Sequence, residues 1–426
     1  MEIKNILVFP CGSEIGLEVN RSLANSKHFK IYGGNSIDDH GKFVYENYIS
    51  GIPFVDSSEF ISKINEITKQ YKIHYIIPTH DSAVLKLSQN RDVLAAEVVT
   101  SPFKTCKICR SKLKTYRTFE GIIPVPKIYS LKEDMKFPLF LKPDVGQGAK
   151  GTHKVKTKEE VEFYLKEDPS LLILEYLPGK EYTIDCFSTS EGNLIFSEGR
   201  ERRRINNGIS VNTKRVDNSK FRELAEIINK KLLLQGAWFY QVKEREDGEL
   251  TLMEIAPRIA GTMEMFRVMG INFTELSLFD KMGLPVEIIM NNIDIELDRA
   301  LSSKFLIREN YKYVYIDFDD TIIVDGKVNT DVIKFLYQSK NFGKKIILLS
   351  RHNGKIEKTL ENFSLSPKLF DSIIKIKGDK RKSDYIQKEN AIFVDDSFAE
   401  RKEVFDNLGI PVFALDAVQA LFESKF

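Results

Sequence analysis

Two acids two residues apart, Asp317 and Asp319, follow the apolar run 313–316. Alternate residues of an extended chain point to one side, so these carboxylates concentrate negative charge that a divalent cation would neutralise. Two more apolar runs end in polar groups: 346–349 leads into Ser350-Arg351, and 391–394 leads into Asp395-Asp396-Ser397, with Lys380 and Lys382 between them. An earlier constellation suits anion binding. Lys142 stands in the apolar run 137–143 and is followed by Asp144-Val145-Gly146-Gln147-Gly148-Ala149-Lys150-Gly151. Glycines at 146, 148 and 151 let the backbone turn tightly and aim N–H groups at an anion. No Lys-Ser/Thr follows the last glycine, as a helix-preceding phosphate loop requires, so the segment reads as a flap over phosphates or as a plain flexible hairpin. Further on, 237–242 and 252–258 read as adjacent antiparallel strands joined by the polar turn 246–249. That hairpin can set Gln241 and Glu254 on one face, where oxygen ligands suit Mg²⁺, and Arg258 just beyond can bind a transferring phosphoryl group.

The elements that must position these groups are legible as alternations. Residues 3–9 form an apolar run, then Pro10-Cys11-Gly12-Ser13-Glu14-Ile15-Gly16 and a helical pattern: strand, glycine turn, helix. A second such run, 73–77, ends at Pro78-Thr79-His80-Asp81 and passes into a helix. Strands alternating with helices imply a parallel sheet with helices on its faces. Gly12 and Gly16 fall short of a dinucleotide fingerprint and read as turn glycines. His80 and Asp81 occupy the strand end where open α/β sheets bind ligands, but Asp81 would serve equally as a helix cap. The texture changes near 105 and again near the polar patch Arg308-Glu309-Asn310, giving expected domains 1–105, 106–309 and 310–426.

The chain has 426 residues, 42% hydrophobic and 29% charged, enough for large cores without disulfides. Sixty-three basic against sixty-one acidic residues leave a net charge of +2, so no global field holds nucleic acid or an anionic membrane. No apolar stretch approaches a secretory signal or a membrane span, and a cytoplasmic protein is expected. The four cysteines are too few for a disulfide framework. Cys106 and Cys109 have the spacing of a redox pair or half a zinc site, yet no second pair exists, which favours small residues on a helix.

Residues 1–300 resemble the ATP-grasp superfamily, in particular ligases of the biotin carboxylase and carbamoyl phosphate synthetase branch, including small amino-acid ligases. The ordered set carries the resemblance: an N-terminal α/β domain, Arg110-Ser111-Lys112, Lys142 before the glycine flap, Glu175 through Glu181, Arg200-Glu201-Arg202, Gly208, Gln241 and Glu254-Ile255-Ala256-Pro257-Arg258. The resemblance implies that Lys112 and Lys142 hold ATP phosphates under Gly146, Gly148 and Gly151, that Glu175, Tyr176 and Leu177 form the adenine hinge, and that Glu181 binds ribose. It further implies Mg²⁺, with Mn²⁺ as a substitute, on Gln241 and Glu254, and Arg258 on an acyl phosphate. Arg202, in what would otherwise be a solvated basic run, is favoured as an anion contact. Ser111 stands where an acid is common, and Ala256 where many relatives have a metal-binding Asn.

Residues 311–426 resemble the haloacid dehalogenase (HAD) superfamily of phosphatases: three strands, each with a polar group at its carboxyl end, in the order Asp317/Asp319, Ser350, Asp395/Asp396. That implies Asp317 as nucleophile, Asp319 as general acid and base, Ser350 as phosphate contact, Lys382 or Lys380 against the phosphoryl oxygens, and Mg²⁺ on Asp317, Asp319, Asp395 and Asp396. The short intervals leave no room for a large cap. The expected fold is therefore α/β and α+β multidomain: a Rossmann-like pre-ATP-grasp domain, an ATP-grasp fold and a HAD-like Rossmannoid domain. The expected function is a bifunctional enzyme, an ADP-forming carboxylate–amine ligase joined to a Mg²⁺-dependent phosphatase. Its partners would be small carboxylates and amines and a phosphorylated small molecule, with no nucleic acid or membrane; a homo-oligomer is left open. The alternatives are an ATP-grasp kinase with a phosphatase, or a nucleotide-binding regulator with a degenerate grasp.

Overall fold

The strand Lys4–Phe9 shows how the first sheet is built: Ile6 and Val8 pack with Val19 and Leu23 of helix Glu14–Leu23, whereas Leu7 and Phe9 pack with Phe60, Ile64 and Ile67 of helix Phe60–Gln70. A strand buried on both faces belongs in a parallel sheet. In the computed structural model this sheet has five parallel strands in the order Asn47–Ile49, Phe29–Gly34, Lys4–Phe9, Ile73–Pro78, Glu97–Val98. The residues described are 2–422 without Gln147, Lys304, Leu306, Arg308, Glu309 and Lys388. The glycine-rich turn serves packing: Ser13 caps the first helix by accepting from the Gly16 N–H at 3.0 Å, and the Tyr45 hydroxyl donates to the Gly16 carbonyl at 2.5 Å.

The chain divides into two compact units, Met1–Leu301 and Ser302–Phe426. The change of texture expected at Arg308 and Glu309 falls outside the described residues.

The first unit contains two further sheets, both antiparallel. One orders Ile128–Tyr129, Leu171–Glu175, Leu139–Pro143 and His153–Val155. The other orders Leu250–Ala256, Gly236–Glu244, Glu181–Ser188, Leu194–Asn206, Ile209–Val216 and Glu296–Asp298. The strand period of two decides what its faces do. Tyr182, Ile184, Cys186, Trp238, Tyr240 and Val242 pack against Phe221, Ala225 and Ile228 of helix Ser219–Lys231. Glu181, Thr183, Asp185, Phe239 and Gln241 therefore face the opposite way. On that face Asp185, fully buried, accepts from Arg200 Nε at 2.7 Å and Nη2 at 3.3 Å.

The second unit is a five-stranded parallel sheet, ordered Ser372–Lys375, Lys345–Ser350, Tyr313–Ile316, Ala391–Val394, Val412–Phe413. A two-stranded hairpin, Ile323–Val324 with Lys327–Val328, and helix Thr330–Asn341 lie between its first two strands in sequence. Among the described residues no helix is long and apolar enough to cross a membrane.

Removing one partner of a buried ion pair strands the other charge. Asp185→Ala is thus expected to destabilise the first unit by about 3–5 kcal/mol, whereas Asp185→Leu with Arg200→Met loses far less; denaturant melts of the two variants check this.

Candidate functional site

Lys142 and Glu254 face one cleft of the first unit. The cleft occupies about 1050 Å³ counting its open mouth and takes in Lys112, Gly146, Gly148, Glu175, Tyr176, Leu177, Glu181, Arg202 and Gln241 as well. Lys142 is 5% exposed, and its ammonium sits 5.5 Å from the centre of the Tyr116 ring. Among the described residues neither its ammonium nor the Glu254 carboxylate has a hydrogen-bond or ion-pair partner. Burial pushes the Lys142 pKa down to about 8, against the opposing pull of Glu254 and Glu181. Lys112 is depressed too, by burial first and then by the Lys142 charge. Two partly desolvated ammonium groups side by side suit a polyanion. A carboxylate with no protein donor is the kind of group that Mg²⁺ takes together with substrate phosphates.

One cross-strand row of the six-stranded sheet lays out the wall of this cleft. Glu254 is opposite Gln241, Gln241 opposite Thr183, and Thr183 opposite Arg200. The adjoining Arg202 is a hub: Nη1 donates to Glu181 Oε1 at 2.5 Å and to Gln241 Oε1 at 2.7 Å, and Nη2 donates to the Gly208 carbonyl at 2.6 Å. Gly208 has φ +75°, and a Cβ there would come within 2.5 Å of the Gly148 carbonyl carbon and 2.7 Å of the Ala149 nitrogen. The hairpin turn of Arg202's strand thus backs the flap.

Of the basic run, Arg200 and Arg202 turn inward. Arg203 and Arg204 turn outward to Glu296 at 3.0 Å and Asp298 at 2.5 Å, across an irregularity in strand register. Lys214 and Arg215, which sequence patterns leave unassigned, pair with Asp294 and Glu198.

The remaining sequence-predicted positions are held as follows. Glu175 ends its strand with its carboxylate engaged by Arg245 at 2.8 and 3.0 Å and by the Lys127 N–H at 3.1 Å, so backbone rather than carboxylate is what the hinge Glu175–Leu177 can offer. Lys154 lies 3.8 Å over the Tyr176 ring, and Leu177 is buried. Ser111, where an acid was noted as missing, caps helix Lys112–Phe119 and donates to Asp144 at 2.8 Å; the same carboxylate accepts from the Leu113 N–H at 2.7 Å. Gly146 takes Arg110 Nη1 on its carbonyl at 3.3 Å, and Gly151 has φ +68°. Gln147, part of the same loop, lies outside the described residues. Cys106 is buried in helix Phe103–Cys109 and donates to the Ser101 carbonyl at 3.1 Å, in keeping with a packing role.

A second, wider pocket adjoins the cleft and shares Gly146, Gly148, Arg202, Gln241 and Glu254 with it. Its far wall brings Ser13, Glu14, His80 and Asp81 from the first sheet toward Arg258 and Arg299. Asp81 does not cap its helix; His80 does, its ring Nδ1 accepting from the Ser82 N–H at 3.2 Å.

In the second unit, Asp317, Asp395 and Asp396 bring carboxylate oxygens within 4.8 Å of one another at the carboxyl ends of adjacent strands. Lys382 Nζ bridges Asp317 at 2.8 Å and Asp395 at 2.6 Å, which selects it over Lys380, whose Nζ lies 6.0 Å from the Tyr385 ring. Burial, then repulsion from Asp395, pushes Asp317 up to about 7 despite the Lys382 charge. Asp395 is raised as well, mainly by burial, and Lys382 is raised because its two carboxylates outweigh its own burial. Two buried carboxylates against one ammonium leave an excess negative charge, which fits a divalent cation. Asp396 accepts from Thr321 Oγ1 at 3.0 Å, and Ser350 is buried at its strand end. Asp319, expected among the metal ligands, is not in this group: its carboxylate pairs with His352 Nδ1 at 2.8 Å. His352 is a residue that the sequence reading missed, although its position two beyond Ser350 at a strand end offered the signal.

With this geometry in place, comparison with known proteins assigns the fold. The family described as "ATP-grasp in the biosynthetic pathway with Ter operon" matches residues 167–295. The D-alanine–D-alanine ligase of Thermotoga sp. (strain RQ2) is 31% identical over 134 residues, covering 29% of this chain and 44% of the ligase. The chain thus spans less than half the length of that relative. The biotin carboxylase domain of Hydrogenobacter thermophilus 2-oxoglutarate carboxylase, solved with MgADP, ADP and bicarbonate, superposes with TM-score 0.56 at 14% identity over 69% of this chain and 73% of its own. The L-amino acid ligase of Bacillus licheniformis gives 0.53 at 18% identity over 65% and 74%. This protein therefore carries an ATP-grasp-like fold within an α/β multidomain chain. The reading of the second unit rests on its own geometry.

Because Lys142 carries its charge below about pH 8, affinity for MgATP is expected to fall as pH rises from 7 to 9, and Lys142→Ala is expected to weaken binding and flatten that dependence; calorimetric titration across the range checks both. In the second unit a protonated carboxyl does not ligate a cation. Mg²⁺ affinity of the chain carrying Glu254→Ala is accordingly expected to drop as pH falls through about 7, measurable by the same method.

Proposed function

We propose that the first unit is an ADP-forming carboxylate–amine ligase. The observation that carries this reading is the pair of opposite charges, Lys142 and Glu254, unpartnered among the described residues, across a glycine-flapped cleft that opens into a second, arginine-lined pocket. A carboxylate oxygen of the acceptor attacks the γ-phosphorus of ATP, ADP leaves, and an acyl phosphate forms; an amine then attacks the carbonyl carbon, phosphate departs, and the amine loses a proton. Positioning and charge neutralisation do most of this work. Lys112, Lys142 and the flap hold the phosphates, Glu175 to Leu177 and Glu181 the nucleoside, and Arg258 the transferred phosphoryl group. Mg²⁺, held by Glu254 with Gln241 beside it, would offset charge on the phosphate oxygens. The named ligases among the relatives support this reading, as does the MgADP in a structural neighbour. The acceptor carboxylate and the amine are small molecules.

For residues 310–426 we propose a phosphatase of the HAD kind, and with it the three-part division 1–105, 106–309 and 310–426. The Asp317–Lys382–Asp395 cluster supports it. Asp317 would attack phosphorus, Asp319 would protonate the leaving alkoxide and then take a proton from the hydrolytic water, and Ser350 and Lys382 would hold the phosphoryl oxygens. Asp317, Asp395 and Asp396 would hold the Mg²⁺.

The two activities are expected to separate. Glu254→Ala lowers ADP release, assayed with an amino-acid pool and hydroxylamine as the trapping amine, by about a hundredfold or more and leaves p-nitrophenyl phosphate hydrolysis intact. Asp317→Asn does the reverse. Loss of both activities in either folded variant, or an ADP-forming reaction that leaves the phosphate on the product, would refute the reading.

A further inference from the structure

The far wall of the second pocket comes from the parallel sheet, at the carboxyl end of Ile73–Pro78, beside the central strand Lys4–Phe9. In open α/β sheets this is where ligands bind. Here its acids turn to arginines of the pocket instead: Glu14 pairs with Arg299 at 2.9 Å and Asp81 with Arg258. The second pair is the tighter construction. Asp81 Oδ1 accepts from Arg258 Nε at 2.5 Å and Oδ2 accepts from Nη2 at 3.2 Å, both side chains being largely buried. Nη1 donates to the Ile259 carbonyl at 3.1 Å, and the guanidinium lies 5.2 Å over the Phe239 ring. With one edge and one face fixed, a guanidinium with five N–H groups has spent three among the described residues and keeps two for a ligand. His80 has taken over the helix cap, so Asp81 is free of backbone duty. Burial alone would raise the Asp81 pKa, but Arg258 and Arg110 overcome that and hold it below the usual carboxylate range, so the pair stays charged.

We infer that Asp81 is the positioning residue for Arg258, aiming its two remaining N–H groups at the phosphoryl group in the second pocket. This rests on the reading of Arg258 as a phosphoryl contact. An arginine on a flexible stem loses ordering entropy on each engagement, and a carboxylate that fixes its edge removes that cost beforehand. A neutral amide keeps the shape but not the charge-assisted fork.

The test uses the full chain with MgADP bound and inorganic phosphate as the probe, titrated calorimetrically. Asp81→Asn is expected to weaken phosphate by about ten- to a hundredfold while MgADP affinity, which also reports folding, changes by less than about twofold. Asp81→Glu, which keeps the charge, recovers most of the loss. Arg258→Ala weakens phosphate at least as much, and adding Asp81→Asn to it costs nothing more, because a positioning residue acts only through the group it holds. Phosphate binding unchanged in Asp81→Asn, additive effects in the double variant, or no phosphate binding to the wild-type MgADP complex would each overturn the inference. Failure of the wild type to bind MgADP, seen before phosphate is added, would instead remove the nucleotide reading beneath it.

Discussion

Arg202 has one guanidinium and gives it to three acceptors around the cleft: an acid of the six-stranded sheet, an amide beside Glu254, and the carbonyl of a turn that backs the glycine flap. Because its side chain is almost fully buried, none of these contacts is traded freely with water, and each restrains the other two. The flap is positioned by the strand that Arg202 stands on. The orientation of Gln241 follows from the same atom that neutralises Glu181. All three contacts lie within the six-stranded sheet and its hairpin turn, and the flap is reached through the close approach of Gly208 to Gly148 and Ala149.

The two units solve the same electrostatic problem with opposite signs. The first gathers ammonium groups, Lys112 and Lys142, at the cost of desolvating them, and leaves one carboxylate without a donor among the described residues. The second gathers carboxylates and tempers them with a single buried lysine. A chain with a net charge of +2 thus holds strongly polarised interiors, and near-neutral composition conceals them.

What could be read from sequence was whatever depends on period and order. Alternation placed Gln241 and Glu254 on adjacent strands, and the three strand-end acids and serine of the C-terminal part lie along one parallel sheet. What could not be read depends on long-range pairing. That Glu175 would give its carboxylate to Arg245, seventy residues away, or that Asp81 would meet Arg258 rather than its own helix, has no local signature. Asp319 illustrates the same limit: its spacing from Asp317 suggested a shared cation, yet a histidine from the next strand end claims it. The inward and outward division of the arginine run required the strand irregularity near Arg202, which composition does not encode.

The row Glu254, Gln241, Thr183, Arg200 runs across four neighbouring strands as register partners. A one-residue slip in any of those strands would send its member to the helix-packed face, so the row is inherited whole or not at all. Loop residues that line the two pockets, by contrast, lie outside the row. Insertions and exchanges in those loops leave the register untouched. The row and the loops around it therefore sit on parts of the chain with very different tolerance to change: the lining that loops contribute can diversify while the strand-borne wall stays as it is.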